Sequence, residues 1–265
     1  MTDIVKAIIL GIIEGITEFL PISSTGHLIL ANRYIAFSEM FTQKFDIIIQ
    51  LGAILAVVVV YWKTLVPNKE NSLDKSFSIW SRVIVAVIPA LVLGALLHEQ
   101  IETLLFNPFT VAVALVFWGI VLVVIERRPM TTKTDSIGKI SYTTALFIGL
   151  IQCLAMVPGT SRSAATIIGA MLLGSSRLVA VEFSFFLAIP TLAAASVFSM
   201  FKMGFNISSS EFLALATGFL VSFIVAYAVI RYFLRYIGKH DFQVFGYYRI
   251  LLGAIILFFF LFNTK

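Results

Sequence analysis

The chain has 265 residues, of which 60% are hydrophobic and only 12% charged, with a mean hydropathy of +1.01. Soluble domains carry roughly 25% charged residues, so this composition excludes an ordinary soluble protein and indicates several membrane spans. The net charge of +5 does not signal nucleic acid, because the Lys and Arg residues sit in short clusters between apolar runs, where they set topology.

The first region, 4–36, is apolar but carries a Pro/Gly/Ser/Thr break at its middle, and reads as a helix, a polar turn and a second short helix. Glu14 and Glu18 interrupt its apolar run and no small-residue cleavage site follows, so it is expected to remain rather than be removed as a signal peptide. Apolar runs near 45–62, 82–98 and 109–126 come next. Each is long enough to cross a hydrocarbon core about 30 Å thick, which takes roughly 17 to 25 helical residues. Region 142–176 repeats the broken pattern. It holds the single cysteine, Cys153, which leaves neither an intramolecular disulfide nor a cysteine-based metal site and makes redox chemistry an unneeded reading. Three more runs, near 178–201, 212–232 and 246–263, close the series. The expected fold is all-α: one integral membrane domain over 1–265, with six transmembrane helices and two re-entrant hairpins. Irregular backbone at membrane depth is tolerated only where protein or a water-filled cavity covers it, so the hairpins should line an internal cavity.

Basic residues give the sidedness. Connection 63–82 holds Lys63, Lys69, Lys75 and Arg82; 127–139 holds Arg127, Arg128, Lys133 and Lys139; 231–249 holds Arg231, Arg235, Lys239 and Arg249. These belong in the cytoplasm, whereas 99–108, with no Lys or Arg, and 202–211, with only Lys202, should face outward. The spans alternate consistently if 4–36 re-enters from outside and 142–176 from the cytoplasm. That is a hairpin followed by three spans, twice: repeat 1 over about 1–126 and an inverted repeat 2 over about 140–265. Gly11-Ile-Ile-Glu14-Gly-Ile-Thr-Glu18 lies over Gly149-Leu-Ile-Gln152-Cys-Leu-Ala-Met156 and, one offset later, Pro21-Ile-Ser-Ser24 over Pro158-Gly-Thr-Ser161. Inverted repeats place a site near the membrane centre, where broken helices meet.

Ionisable groups at membrane depth mark a functional site by default. Glu14 and Glu18 are four apart, so on a helix they share a face, with Cβ atoms about 5 to 6 Å apart. In a low-dielectric cavity the pair needs a cation or a shared proton, unless each pairs with a base elsewhere or serves as a transporter's cation site. Ser23, Ser24 and Thr25 follow Pro21 and either cap the next helix or offer hydroxyls to a phosphate at its N-terminus. His27 is a nucleophile, a general acid or a hydrogen-bonding residue without chemistry. In the second break, Arg162 lies between Ser161 and Ser163, with Thr166 one turn on. Arginine suits bidentate phosphate recognition, and the turn after Pro158-Gly159 directs helix N–H groups at the same anion. Asp46, Gln50, Glu182 and Ser184 extend the polar cavity or make interhelical hydrogen bonds. His98 and His240 read as interface packing.

The two signatures, Glu14-Gly-Ile-Thr-Glu18-Phe-Leu-Pro-Ile-Ser-Ser-Thr-Gly-His27 and Pro158-Gly-Thr-Ser-Arg162-Ser-Ala-Ala-Thr166, closely resemble those of the bacterial undecaprenyl-diphosphatase family, the bacitracin-resistance type. Phe45-Asp-Ile-Ile-Ile-Gln50-Leu-Gly-Ala-Ile-Leu-Ala-Val and Glu182-Phe-Ser-Phe-Phe-Leu-Ala-Ile-Pro190 extend the resemblance over essentially the whole chain. The resemblance implies an inner-membrane phosphatase, open to the periplasm, that removes the terminal phosphate of undecaprenyl diphosphate with a divalent cation, Mg²⁺ or Ca²⁺. It regenerates the carrier lipid for peptidoglycan and other envelope glycans, and by that route confers bacitracin resistance. Carried onto this chain, Glu14 and Glu18 bind metal or activate the attacking group, and Ser24 or His27 is the nucleophile. Arg162 holds the diphosphate, assisted by Ser161, Ser163 and Thr166. The expected partners are the lipid substrate and membrane lipids, with no nucleic acid, and monomer and homodimer are both left open.

Two rival readings were weighed. Lipid phosphatases of the acid-phosphatase superfamily need a histidine six residues after the Arg of their Ser-Arg motif, where this chain has Ile168. A transporter or lipid flippase would use the glutamate pair to couple protons or sodium, since broken helices in inverted repeats are typical of secondary transporters.

Overall fold

The computed structural model describes residues 1–69, 71–129, 132–204 and 207–262, without the side chains of 98, 102, 203 and 260–262. The described residues are helical apart from turns, short 3-10 segments and one isolated bridge between Thr134 and Ser175. Region 4–36 forms α1 (Asp3–Thr17) and α2 (Ser24–Ile35), joined by a tight turn. The first long helix, α3 (Glu39–Val60), starts six residues before the apolar run and is continued by the short α4 (Trp62–Leu65). Next come α5 (Leu73–Leu105) and α6 (Pro108–Glu126). Region 142–176 forms α7 (Tyr142–Gln152), a 3-10 turn at Cys153–Met156, and α8 (Arg162–Leu172). The chain ends in α9 (Arg177–Met203), α10 (Ser209–Ile237) and α11 (Gln243–Phe262).

Caps set several of these boundaries. Ser72, Asn107, Ser176 and Ser208 each accept a bond from an amide three residues on, and Ser208 with Glu211 closes a reciprocal capping box. Helix α5 overruns its expected span at both ends because Ser72 starts it before the apolar run and nothing in the sequence up to Leu105 forces it to stop. Among the described residues five helical segments are long and apolar enough to cross a membrane: α3, α6, α10, Leu73–Leu97 of α5 and Arg177–Lys202 of α9. The sixth expected span falls on α11, whose described apolar part, Gln243–Phe259, is shorter; residue 263 lies outside the described residues, as does the His98 side chain.

The basic connections gather at one end of the molecule. Arg82 donates to the Ile140 carbonyl, the Glu126 carboxylate takes two nitrogens of Arg177, and its Oε1 accepts the Phe242 amide at 3.1 Å. These bonds tie connections 63–82, 127–139 and 231–249 together. At the opposite end, Lys202 lies 3.9 Å from Glu99. The charge of Lys44, before the apolar run of α3, acts there on Glu211 at the start of α10. The first hairpin starts and finishes at this end, since Lys6 Nζ donates to the Ala36 carbonyl at 2.9 Å. The second starts and finishes at the basic end, where Tyr142 meets Ser81 at 3.1 Å and the amides of Lys133 and Thr134 reach the Gly174 carbonyl.

One residue of the charge count is misplaced. Arg249 does not belong to the cluster at the basic end; it is completely buried within α11. A count of basic residues treats every guanidinium as solvated, whereas this one donates from two of its nitrogens to backbone carbonyls and leaves its buried Nε without a partner.

Close helix contact positions the hairpins. Helix α1 packs along α10, α7 along α5, and α6 against α11. Small residues let such backbones approach. At Gly149 of α7 a Cβ would stand 2.1 Å from the Ala86 carbonyl oxygen of α5, so no larger residue fits without moving a helix. Gly138, outside this contact, has room, with its nearest neighbour at 3.9 Å. Gly149→Val is therefore expected to cost at least about 2 kcal/mol and to lower the thermal midpoint of the detergent-solubilised protein, with Gly138→Ala neutral. Equal midpoints for both variants would refute this packing.

Candidate active site

The two turns meet. Ser23 and Ser161 are the only non-glycine residues with positive φ among those described, at 73° and 72°, and each caps the helix that follows. Ser23 Oγ accepts the Gly26 amide at 3.3 Å and Ser161 Oγ the Ala164 amide at 3.2 Å. Holding a serine there costs about 1 to 3 kcal/mol, which surrounding contacts must offset. Ser23 with Ser161, Ser24 with Arg162 as helix starts, and Glu39 with Arg177 as helix starts all stand at one sequence separation. At that separation Ser161 falls with Ser23 and Gln152 with Glu14, whereas the sequence pairing sets Ser161 against Ser24.

Arg249 holds the turns together. Its Nη1 donates to the Pro21 carbonyl at 3.0 Å, and its Nη2 to the carbonyls of Gly159 and Thr160, each at 2.8 Å. Gly159 sits at φ 91°, and a Cβ there would come within 2.5 Å of the Val111 carbonyl oxygen, so the second turn lies directly against α6.

A second bridge crosses between the hairpins through side chains. Arg162 Nη2 meets Glu18 Oε1 at 2.9 Å, while Nη1 donates to the carbonyl and hydroxyl of Ser184 at 2.9 and 3.3 Å. Ser24 Oγ donates to the other Glu18 oxygen at 2.5 Å. The amide of Glu18 donates to the Glu14 carbonyl, so the helical path carries both carboxylates onto one face. Glu14 is fully buried and neither of its carboxylate oxygens has a hydrogen-bond partner, although Glu18 and Asp46 act on it electrostatically. Asp46 in turn accepts from Asn32 Nδ2 at 2.8 Å.

The remaining expected residues take varied positions. Ser163 is fully buried and donates to the Leu20 carbonyl at 2.9 Å, a third link between the turns. Thr166 donates within its own helix, to the Arg162 carbonyl, and lies 2.7 Å from Ser184 Oγ. Both hydroxyls serve the framework. Thr25 is exposed beside the buried Ser24. His27 has Nδ1 2.7 Å from the Ser23 carbonyl and Nε2 2.6 Å from the Tyr248 hydroxyl. Glu182 stands apart, accepting from Tyr61 at 3.4 Å, and His240 stacks on Tyr236.

Among the described residues no group of three or more His, Cys, Asp and Glu side chains forms a ready cation cage. The unpartnered, buried carboxylate of Glu14 beside Glu18 nevertheless fits a hard cation, because such ions take one or two carboxylates and draw their other oxygens from water and substrate phosphate. Glu18 itself is already engaged by Ser24 and Arg162. Ser24, Glu18 and Arg162 thus stand in line as hydroxyl, carboxylate and guanidinium.

Arg249 and Tyr248 escaped sequence reasoning. The signal was present, since an ionisable residue inside the apolar run 246–263 is as anomalous as Glu14 in 4–36.

The family model described as bacitracin resistance protein BacA matches residues 7–255. Undecaprenyl-diphosphatase 1 of Clostridioides difficile (strain 630) is 49% identical, the match covering 98% of this chain and 97% of the relative. Undecaprenyl-diphosphatase of Enterococcus faecalis is 48% identical over 96% of each chain. That of Limosilactobacillus fermentum is 47% identical over 98% of each. With its five long apolar helices, the chain is a multi-pass integral membrane protein, and it belongs to the bacitracin resistance protein BacA family.

Proposed function

We propose that this chain hydrolyses undecaprenyl diphosphate to undecaprenyl phosphate and inorganic phosphate, the activity in the names of relatives that match it nearly end to end. The observation that carries the reading is the contact of Ser24 with Glu18, whose other oxygen is held by Arg162. A purely transporting protein has no need of an activated hydroxyl, and the flippase reading leaves that contact without an account.

In this reading Ser24 Oγ bonds to the terminal phosphorus as its proton passes to Glu18. The bond from phosphorus to the bridging oxygen breaks, and undecaprenyl phosphate leaves. Water then attacks the phosphoserine, the bond to Oγ breaks, Ser24 regains its proton from Glu18, and phosphate departs. His27 is the weaker candidate for attack because both ring nitrogens are already engaged. Phosphoryl transfer depends chiefly on positioning and charge neutralisation, and Arg162 at the junction of the turns supplies part of both. Two carboxylates beside an anionic substrate need further positive charge. A divalent cation such as Mg²⁺ or Ca²⁺, when bound, would neutralise the diphosphate, with the unpartnered Glu14 carboxylate as its protein ligand beside Glu18, whose oxygens Ser24 and Arg162 already take. The apolar tail would lie in the bilayer, so soluble diphosphates should be poor substrates.

The shared sequence separation of the two turns, and the exchange in which α1 packs on α10 and α7 on α5, support an inverted repeat with two re-entrant hairpins. The basic end is assigned to the cytoplasm and the opposite end, where the first hairpin enters, to the periplasm. Removal of the diphosphate there would recycle the carrier for envelope glycans and withdraw the target of bacitracin.

Phosphate release from undecaprenyl diphosphate by the purified protein tests the site. Glu18→Gln, Arg162→Lys and Ser24→Ala are each expected to lower kcat at least about a hundredfold while remaining monodisperse, and a chelator should stop the wild type. Near-wild-type turnover in Ser24→Ala, or full activity in chelator, would remove the corresponding part of the reading. Sidedness is tested in a Cys153→Ala background with a membrane-impermeant thiol reagent. A cysteine replacing Gln100 should label in intact spheroplasts, and one replacing Lys69 only after permeabilisation; the reverse pattern inverts the assignment.

A further inference from the structure

The proposed reaction leaves Tyr248 unused, yet its contacts with His27 are well defined. The two rings lie nearly in parallel planes, 2° apart in tilt with centroids 5.7 Å apart, and meet edge to edge, the hydroxyl 2.6 Å from Nε2. On the other side of the imidazole, Nδ1 is 2.7 Å from the Ser23 carbonyl oxygen. A carbonyl can only accept, so Nδ1 carries the hydrogen and donates. In the neutral ring Nε2 then has only a lone pair, and the Tyr248 O–H donates to it.

Ser23 is one of the two strained serines, at φ 73°, and it immediately precedes Ser24. The chain of contacts therefore runs from the Tyr248 hydroxyl through both nitrogens of His27 to the backbone that aims Ser24. The next residue of α11, Arg249, binds the Pro21 carbonyl of the same turn, so Tyr248 is delivered by a part of the helix already anchored there. From this we infer that Tyr248 is a positioning residue: it fixes the tautomer and plane of His27, and through it the turn that carries Ser24. This rests on the reading of Ser24 as the attacking group. It assigns His27 a proton-accepting Nε2 and no bond to phosphorus. A reacting hydroxyl displaced by a fraction of an ångström loses rate out of proportion to the movement, so the hydroxyl of Tyr248 should matter to turnover more than to binding.

The test uses full-length protein in detergent with undecaprenyl diphosphate, and compares wild type, Tyr248→Phe, His27→Gln and the double variant. Tyr248→Phe keeps the ring in place and removes only the hydroxyl. It should lower kcat by about ten- to a hundredfold, as loss of a group that orients a histidine does elsewhere, with KM within about twofold. Because it acts through His27, adding it to His27→Gln should cost nothing more. In parallel, the ¹⁵N imidazole spectrum, assigned by the signal lost in His27→Gln, should show His27 protonated on Nδ1 alone, and as a mixture of tautomers in Tyr248→Phe. Wild-type kcat in Tyr248→Phe, multiplicative losses in the double variant, or a wild-type His27 protonated on Nε2 would each overturn the inference. Failure of the wild type to release phosphate would instead overturn the hydrolytic reading, and the tautomer result would still decide the role of Tyr248.

Discussion

The site depends on one buried cation. Arg249 has no accessible surface and spends two of its nitrogens on three carbonyls, from Pro21 in one turn and from Gly159 and Thr160 in the other. Turns expose carbonyls that no helix satisfies, and in a dry interior each needs a donor. A guanidinium satisfies several at once from a fixed plane, which a lysine cannot do. Residues more than 130 positions apart along the chain, Glu18 with Arg162 and Leu20 with Ser163, come into register because the two turns share this donor.

Two buried cations thus divide the work. Arg249 organises backbone, and Arg162 is free to face side-chain chemistry, paired with Glu18 and steadied by Ser184. Breaking such a buried pair from one side typically costs about 3 to 5 kcal/mol, because the remaining charge is left uncompensated. The uncommitted groups are as informative: Glu14 with both oxygens free and Arg162 with Nε unpartnered are buried capacity that the protein alone does not use. A cation beside the first and a phosphate oxygen beside the second would satisfy both. That is the arrangement a diphosphate hydrolase needs at the point where bound substrate joins the two hairpins.

Much of this was legible in the sequence, for identifiable reasons. Apolar runs broken by Pro, Gly and serine located both hairpins, and the clustering of Lys and Arg sorted the connections into the two ends that the Arg82, Glu126 and Lys202 contacts gather. Glu14, Glu18, Ser24 and Arg162 stood out because polar groups within apolar runs are costly. What stayed hidden was long-range. The start of α5 depends on the Ser72 cap rather than on hydropathy. Ser163 and Thr166 look like phosphate ligands by type, whereas in the structure Ser163 links the two turns and Thr166 bonds within its helix and to Ser184, since a hydroxyl's orientation is set by the fold around it. Arg249 was misread because a basic residue near a helix start resembles a topology signal until its carbonyl partners are seen.

The most direct test of the account is chemical. Protein mixed with undecaprenyl diphosphate labelled at the terminal phosphate, quenched in acid within the first turnover and digested, should yield an acid-stable phosphoserine on the peptide containing Ser24. Label lost in acid but retained on His27 after a parallel alkaline quench would contradict the assignment of the activated hydroxyl and, with it, the central role given to the contact between Ser24 and Glu18.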